Sequence, residues 1–325
     1  MKALVCSAIG DFDAIAPGDL PSPSAGTGQL VLDVHAGAVN FADLLVLQDL
    51  YQFKSTPPFA PGMEGVGTVA SIGEGVEGFE VGDRVAAVGY SGAFAEQWAI
   101  EATNAVPIPA DVSFIEAATM TIAYGTSYHA LKQRANLQPG ESVLVLGAAG
   151  GVGVAAIQIA KAMGATVIAA ASSDEKTELC SRVGADHVIN YTTDDLRSAI
   201  KTTTDNRGVD VVYDPVGGSL SEAAFRSLRW RGRHLVIGFA AGDIPSLPMN
   251  LPLLKGASLV GVFWGAFTAQ EPEVNRQNAA ELFELLADGW IAPVVDETHS
   301  LENAREALRT VADRRALGRV VVTVR

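Results

Sequence analysis

Four glycines fall between an apolar stretch and an amphipathic stretch in GAAGGVG, residues 147–153. The apolar stretch, Ser142–Leu146, has the length and composition of a buried strand, and the residues after the last glycine have helical spacing. Glycines at such a junction permit a tight turn, and a helix that begins there offers free N–H groups to a pyrophosphate. The segment therefore predicts a dinucleotide site rather than a purely structural turn. The residues expected to hold the cofactor are Gly147, Ala149, Gly150, Gly151, Val152 and Gly153.

The next predicted strand ends in small hydroxyl residues. An NAD site usually has Asp or Glu there to bind the ribose 2′-hydroxyl, but this chain has Ser172 and Ser173, followed by Lys176. Hydroxyls and an ammonium group favour the 2′-phosphate of NADPH, which a carboxylate would repel. Tyr191, just past the third predicted strand, is placed to close the same pocket. We therefore predict NADPH as the cofactor; the alternative is that Lys176 pairs with Glu178 or solvent.

Two further positions follow later strands of the same region. Gly217 lies in the turn after the fourth predicted strand, and Phe239 follows the fifth. Open α/β sheets bind ligands at the carboxyl ends of their strands, so both residues are expected at the cofactor. Phe263 and Trp264 follow the sixth strand and either line the site or pack at a sheet edge in a dimer.

The pattern of predicted strands and helices changes near residue 120. Before it, short strands separated by Gly, Pro and Asp, among them one expected over 93–100, predict a small antiparallel β-domain. After it, apolar strands alternate with amphipathic helices, among them one expected over 192–203, which predicts an α/β fold with a doubly wound parallel sheet. The predicted strands of this second region are 142–146, 166–171, 187–190, 209–213, 233–237 and 258–262. The C-terminal part is expected to return to the β-domain, so the predicted domains are 1–121 with 266–325, and 122–265.

The composition is that of an ordinary globular protein. The 325 residues, 48% hydrophobic and 18% charged, are enough for two domains. A net charge of −14, with scattered basic residues, argues against a nucleic-acid partner or an anionic membrane surface. Cys6 and Cys180 cannot form a disulfide scaffold, and no stretch is apolar for long enough to span a bilayer. A cytoplasmic enzyme is expected.

Longer motifs resemble a known superfamily. They are GAVNFADLLVLQDLYQF at 37–53, PGMEGVGTVASIGEGV at 61–76, FEVGDRV at 79–85, AATMTIAYGTSYHAL at 117–131 and the glycine loop. Together they resemble the medium-chain dehydrogenase/reductase superfamily and, within it, the zinc-independent quinone oxidoreductases, over nearly the whole chain. The resemblance implies a GroES-like β-domain, a Rossmann domain that binds NADPH, and a small-molecule quinone or enone substrate. It also implies a homodimer formed through Rossmann edge strands.

The zinc-binding positions of other superfamily members are changed in this chain. Zinc-dependent alcohol dehydrogenases resemble it but have ligands where Asn40 and Met63 stand, and a third near Thr121. A catalytic zinc needs three nitrogen, sulfur or oxygen ligands, so we predict that no metal is bound. Without a Lewis acid, an activated acceptor such as a quinone or an α,β-unsaturated carbonyl is a better substrate than a simple aldehyde.

Three residues are predicted to be catalytic on the resemblance. The amide of Asn40 is expected to face the nicotinamide and substrate; alternatively, Asn40 caps the helix that starts near Phe41. Tyr51 is expected to orient a carbonyl or donate a proton, unless it is a surface tyrosine in a loop. Thr126 matches a threonine that contacts nicotinamide in the family, and its alternative is a helix-start hydroxyl. Glu64 resembles a family-wide acid near the site and is expected to support these residues.

Three hypotheses about function stay open from the sequence. The first is an NADPH-dependent reductase of quinones or enones. The second is an enoyl-thioester (enoyl-CoA) reductase, which would need a basic rim for which Lys54, Arg231 and Arg276 are candidates. The third is a non-catalytic nucleotide-binding protein.

Overall fold

The computed structural model describes all 325 residues and divides into two compact units, Met1–Ile122 with Val295–Arg325, and Ala123–Val294. The strands are β1 (Lys2–Cys6), β2 (Ile15–Asp19), β3 (Gln29–Ala38), β4 (Glu64–Ile72), β5 (Arg84–Val88), β6 (Gln97–Glu101), β7 (Ala105–Pro107), β8 (Ser142–Leu146), β9 (Thr166–Ala171), β10 (His187–Asn190), β11 (Val209–Asp214), β12 (Leu228–Val236), β13 (Ser258–Gly261), β14 (Val295–Ser300) and β15 (Arg319–Thr323). The helices are α1 (Phe41–Leu47), α2 (Phe114–Ala118), α3 (Gly125–His129), α4 (Gly151–Ala162), α5 (Asp174–Arg182), α6 (Leu196–Thr203), α7 (Gly218–Arg226), α8 (Asn250–Lys255), α9 (Trp264–Gln270), α10 (Pro272–Ala287) and α11 (Ala304–Ala312).

The first unit is built on a seven-stranded sheet. Its order is β14-β15-β3-β4-β5-β7, with β6 also paired to β3. Only β14 and β15 run parallel, so the predicted antiparallel β-domain is confirmed. The register pairs Gly37 with Gly65, and Val321 with Ala38. The end of β3 therefore lies beside the starts of β4 and β15, and this end of the sheet positions the polar cluster described below.

The second unit contains the predicted doubly wound sheet. Its six strands run parallel in the order β10-β9-β8-β11-β12-β13. Every residue of β11 is buried, as expected for a strand covered on both faces. From β8 the chain adds β9 and β10 on one side of the sheet, and then β11, β12 and β13 on the other side. Ligands bind in such sheets at the carboxyl ends of the strands where this change of side occurs, here between β8 and β11. No helix of the chain is long and apolar enough to cross a bilayer.

The predicted return of the chain to the β-domain at residue 266 comes too early. Helices α9 and α10 belong to the second unit, which extends to Val294. They pack on α3 and the turn after it: the His129 ring stacks on Phe267 at 3.8 Å, and Gln133 donates to Asn278 at 2.9 Å. An amphipathic helix pattern specifies a buried face but not the element that covers it, which explains the error.

Three predicted element starts are also corrected. A strand expected over 93–100 begins at Gln97, because the N–H groups of residues 93 and 94 bond to carbonyls of residues 62 and 61 instead of a sheet partner. The strand expected over 233–237 begins at Leu228 and contains an irregular register. The helix expected over 192–203 begins at Leu196, because the Asp195 carboxylate accepts the N–H of Ser198 and caps it.

Candidate cofactor and substrate site

The glycine loop lies between β8 and α4, as predicted, and its geometry requires glycine at two positions. Gly147 has φ +58°, and a Cβ there would lie 2.8 Å from Cγ2 of Val216. A Cβ on Gly153 would lie 2.5 Å from the carbonyl oxygen of Gly147. Gly150 occupies the N-cap position of α4, so the first N–H groups of the helix have no intrahelical partner. A pyrophosphate fits such a helix terminus.

Thr126 lies beside this loop. It is half-buried in α3, and the next residue, Ser127, donates a hydrogen bond to the carbonyl of Val152 at 3.0 Å. The Ser127 hydroxyl is also 2.8 Å from the hydroxyl of buried Tyr213 on β11. Ser127 and Tyr213 therefore fix α3 to the loop and to the sheet. Neither residue could be identified from the sequence, since nothing local marks a serine and a tyrosine 86 positions apart as partners.

Ser172, Ser173 and Lys176 lie together where β9 ends. The Lys176 ammonium is 3.5 Å from the Ser172 hydroxyl. The Ser173 side chain accepts the N–H of Lys176 at 3.3 Å and caps α5. Tyr191 is held nearby, because its N–H donates to the carbonyl of the last residue of β9 at 3.1 Å. The structure thus brings Ser172, Ser173 and Lys176 together after β9, with Tyr191 at the end of the neighbouring strand β10.

Gly217 and Phe239 meet at the ends of neighbouring strands β11 and β12. Gly217 has φ +72°, and a Cβ on it would lie 2.9 Å from Cδ1 of Phe239. The Asp214 carboxylate accepts the N–H groups of Val216 and Gly217, each at 2.9 Å. This carboxylate fixes the turn that carries Gly217, and Val216 in the same turn contacts the glycine loop.

Asp214 is held in turn by two buried side chains. The Ser221 hydroxyl donates to it at 2.6 Å, and Nε2 of His234 lies 3.0 Å away. Burial by itself raises the pKa of Asp214, but the bonds from His234, Ser221 and Gly217 lower it below its ordinary value. His234, which the sequence argument left without a role, therefore supports the charged form of Asp214.

In the first unit, Asn40 is fixed by three partners. Its Nδ2 donates to the Ala38 carbonyl at 3.1 Å and to Glu64 at 3.0 Å, while its Oδ1 accepts from Nη1 of Arg319 at 2.9 Å. A carbonyl and a carboxylate only accept and a guanidinium only donates, so the amide has one possible orientation. Both N–H bonds of Asn40 are used, and only a lone pair of Oδ1 remains for another partner.

Glu64 and Arg319 form a buried ion pair. Nη2 of Arg319 is 2.5 Å from Oε2 of Glu64, and the two residues are 5% and 0% exposed. The other carboxylate oxygen of Glu64 accepts the N–H of Ile122 at 2.7 Å. Burial raises the pKa of Glu64, and the Arg319 charge opposes that rise. Glu64 supports Asn40, as predicted from the resemblance, whereas no sequence signal identified Arg319.

Asp43 joins the start of α1 to the segment before β4. Its carboxylate accepts the N–H of Asn40 at 2.7 Å and the N–H of Met63 at 2.9 Å. Asn40 is therefore the N-cap residue of α1, but Asp43 makes the capping bond and the Asn40 side chain turns to Glu64. Burial raises the pKa of Asp43 to about 7. The acid three positions after Asn40 is the sequence signal that could have identified Asp43.

Tyr51 is half-buried and packs against the apolar cluster that contains Leu44, Leu47 and Phe59. Burial, and then the charge of Asp43, raises the pKa of the Tyr51 phenol. The hydroxyl is therefore protonated at neutral pH and is able to donate a hydrogen bond.

Comparison with known proteins identifies the family. Residues 26–110 match the family model described as the alcohol dehydrogenase GroES-like domain, and residues 151–284 match the one described as zinc-binding dehydrogenase. The chain is 40% identical to quinone oxidoreductase-like protein 2 of Bos taurus over 296 residues, covering 90% of this chain and 84% of that protein. The chain belongs to the quinone oxidoreductase family of medium-chain dehydrogenases/reductases. It is therefore an oxidoreductase, and its β-domain is GroES-like.

Two solved structures of proteins complexed with NADPH resemble the whole chain. One is Escherichia coli quinone oxidoreductase complexed with NADPH, with a TM-score of 0.92, 27% identity and 100% coverage of both chains. The other is mycobacterial Rv1454c complexed with NADPH, with a TM-score of 0.93, 31% identity and 100% coverage of both chains.

One of the two family models is described as a zinc-binding dehydrogenase. The residues at the three positions where zinc-dependent relatives are expected to have ligands, Asn40, Met63 and Thr121, therefore show whether this chain fits a zinc ion. The Asn40 amide oxygen faces the Arg319 guanidinium, and Met63 packs in an apolar cluster. The Thr121 hydroxyl is buried without a hydrogen-bond partner. Nowhere in the chain do three His, Cys, Asp or Glu side chains lie together in a way that could hold a metal ion. These residues do not fit a catalytic zinc.

Proposed function

We propose that this quinone oxidoreductase family member transfers hydride from NADPH to a quinone or an α,β-unsaturated carbonyl without zinc. The observation that carries the proposal is what the predicted zinc positions hold: the Asn40 amide is bonded to Ala38, Glu64 and Arg319, and Met63 packs in an apolar cluster. A site without a Lewis acid favours acceptors that delocalise the incoming charge themselves.

The grouping of Ser172 and Lys176 at the end of β9 supports NADPH as the cofactor. The carboxylate of Asp174, which lies between Ser172 and Lys176 in sequence, accepts a hydrogen bond from the Asn190 amide at 2.7 Å. The two solved relatives complexed with NADPH agree with this assignment. In the proposal Tyr191, Gly217 and Phe239 complete the cofactor site with the glycine loop.

Bound NADPH would supply the hydride, and residues of the chain would donate a hydrogen bond to the oxyanion and position the proton source. Hydride addition to an enone moves an electron pair onto the carbonyl oxygen, and a proton then adds to carbon. Hydride addition to a quinone leaves a hydroquinone anion, which takes a proton on oxygen. Asn40 cannot donate to that oxygen, because both its N–H bonds are used. We assign the donor role to the Tyr51 hydroxyl, with water as the final proton source.

The remaining two predicted catalytic residues have different proposed roles. Asn40, with a lone pair of Oδ1 left over, would accept a hydrogen bond from the nicotinamide amide or from a substrate hydroxyl. Thr126, next to the loop-anchoring Ser127, would contact the nicotinamide. Neither residue then acts as an acid.

A homodimer is part of the proposal. Strand β13 is an edge of the parallel sheet and pairs only with β12. Apolar side chains on and around it are exposed: Leu253 by 78%, Leu254 by 69%, Leu259 by 53% and Phe263 by 49%. An unpaired apolar edge strand is a template for pairing with a second copy.

The enoyl-CoA alternative loses part of its sequence support. Lys54, a candidate for a basic rim, pairs with Asp49 at 2.9 Å, and Arg276 pairs with Glu273. These pairs leave less positive charge for the phosphates of CoA.

The deciding experiment measures NADPH oxidation with quinones, alkenals and short enoyl-CoAs, together with the zinc content of the purified protein. We expect turnover of quinones or alkenals that persists in strong chelator. Preference for enoyl-CoA would establish the alternative, and binding of NADPH without any turnover would point to a non-catalytic protein. One zinc per chain, removed together with activity, would overturn the zinc-free mechanism.

A further inference from the structure

Two aromatic rings continue outward from Tyr51 in the first unit. The ring of Phe53 lies 6.1 Å from that of Tyr51, and the ring of Tyr90 lies 4.0 Å from that of Phe53 at an angle of 31°. Tyr90 is 58% exposed, whereas Tyr51 and Phe53 are half-buried. The three rings, which we call the aromatic row, run from the apolar cluster to solvent.

The two segments that carry this row, the one that begins at Tyr51 and the one that follows β5, both lie in the first unit with the Asn40 cluster. Burial alternates from Tyr51 to residue 57, with odd-numbered residues covered and even-numbered residues exposed, so Tyr51 and Phe53 share one face of the segment. Tyr90 follows β5, whose last residue, Val88, pairs with Glu64. The N–H of residue 89 also donates to the Met63 carbonyl at 2.9 Å. Tyr90 therefore leaves the sheet at the end where Glu64 holds Asn40.

The surroundings of the row favour an uncharged ligand. The nearest cation in sequence, Lys54, is paired with Asp49, so it offers no free charge to an anionic group. The exposed face of Tyr90 is apolar and flat, and aromatic faces stack best on other planar rings. A tyrosine that only stabilised the fold would be expected to bury more of its ring.

We propose that Phe53 and Tyr90 form a stacking subsite that selects acceptors with extended planar rings over small acyclic ones. The proposal rests on the proposed function, because it extends the substrate site assigned to Tyr51. Tyr90 is a specificity residue in this proposal and takes no part in hydride or proton transfer.

The test compares two acceptors, phenanthrenequinone and methyl vinyl ketone, with NADPH saturating. For Tyr90→Ala we expect the KM for phenanthrenequinone to rise roughly threefold to tenfold, the range of one aromatic contact, with kcat unchanged. The KM for methyl vinyl ketone should stay constant. Tyr90→Phe, which keeps the ring, should behave as the wild type, and Val81→Ala controls for loss of another exposed apolar side chain of the same unit.

The outcomes separate this subsite from the function on which it rests. If the wild-type protein reduces neither acceptor, the proposed function fails. If it reduces them but Tyr90→Ala changes neither KM, or changes both equally, the subsite alone is overturned. A variant with unchanged KM values and a changed sedimentation coefficient would assign the aromatic row to self-association and overturn the subsite as well.

Discussion

The guanidinium of Arg319 lies 2.9 Å from the side-chain oxygen of Asn40, although the two residues are 279 positions apart in the chain. The same guanidinium holds the Glu64 carboxylate, which in turn accepts from the Asn40 amide nitrogen. The three side chains close a ring of hydrogen bonds, so removing any one of them takes a hydrogen bond from each of the other two.

Arg319→Met should lower the free energy of unfolding by about 3–5 kcal/mol, because it leaves the buried Glu64 carboxylate without its cation. Urea denaturation followed by circular dichroism measures the loss. Arg315→Met, which removes an exposed partner of Asp313, is the matched control and should change little. Adding Glu64→Gln to Arg319→Met should recover part of the loss. An Arg319→Met variant as stable as the control would show that the ion pair does not stabilise this unit.

Lys176→Ala should weaken NADPH binding by about tenfold to a hundredfold, the value of one charge-assisted contact with the 2′-phosphate, and leave NADH affinity unchanged. Isothermal titration calorimetry with both cofactors gives the comparison. Lys161→Ala is the control, since Lys161 lies in the same unit but pairs with Asp186 at 2.7 Å. Equal affinity of the wild-type protein for the two cofactors would contradict the assignment of Ser172 and Lys176.

Asp43 should make stability depend on pH. Burial raises its pKa from 3.8 to about 7, so the folded protein keeps a proton that the unfolded chain releases. This contribution is fully present below about pH 4 and is lost as the pH rises to about 7, by at most about 4 kcal/mol. Unfolding free energies across this range should fall less steeply for Asp43→Asn than for the wild type. Exposed Asp111→Asn is the control, and identical slopes for all three proteins would refute the prediction.

The local parts of the cofactor site could be predicted from the sequence. Gly147 is required by its positive φ, Gly153 by the Gly147 carbonyl six positions earlier, and Ser173 caps a helix that begins beside it. The resemblance supplied Asn40 and Tyr51. Such features depend on neighbours in sequence, so pattern and structure agree.

The partners of these residues could not be predicted, because they depend on sheet register. Arg319 reaches Asn40 only through the pairing of β15 with β3, and Tyr213 reaches Ser127 through the packing of α3 on the sheet. The same limit explains the misplaced return at residue 266. The amphipathic pattern of α10 is equally compatible with either unit, and its contact with Gln133 decides the matter.

Leu259→Glu should convert the proposed dimer to monomer, since it places a charge on the exposed edge strand β13. Sedimentation velocity measures the change in mass. Val188→Glu is a matched control, because Val188 is exposed on β10, the opposite edge of the same sheet. A wild-type monomer would refute the dimer, and a dimer that survives Leu259→Glu but not Val188→Glu would place the interface elsewhere.

Tyr51→Phe should distinguish an orienting hydroxyl from a required acid. A quinone gives a hydroquinone anion that takes its proton from water, so the loss in kcat/KM should be less than about tenfold. An enoyl thioester gives a more basic enolate, and any such substrate should lose on the order of 10²–10⁴-fold. Steady-state kinetics of both proteins on both substrate classes, with NADPH saturating, makes the comparison. A large and equal loss on both would mean that Tyr51 positions the cofactor or the fold. No loss on either would remove Tyr51 from the site, and the oxyanion would then need a donor other than Asn40, whose two N–H bonds are held by Ala38 and Glu64.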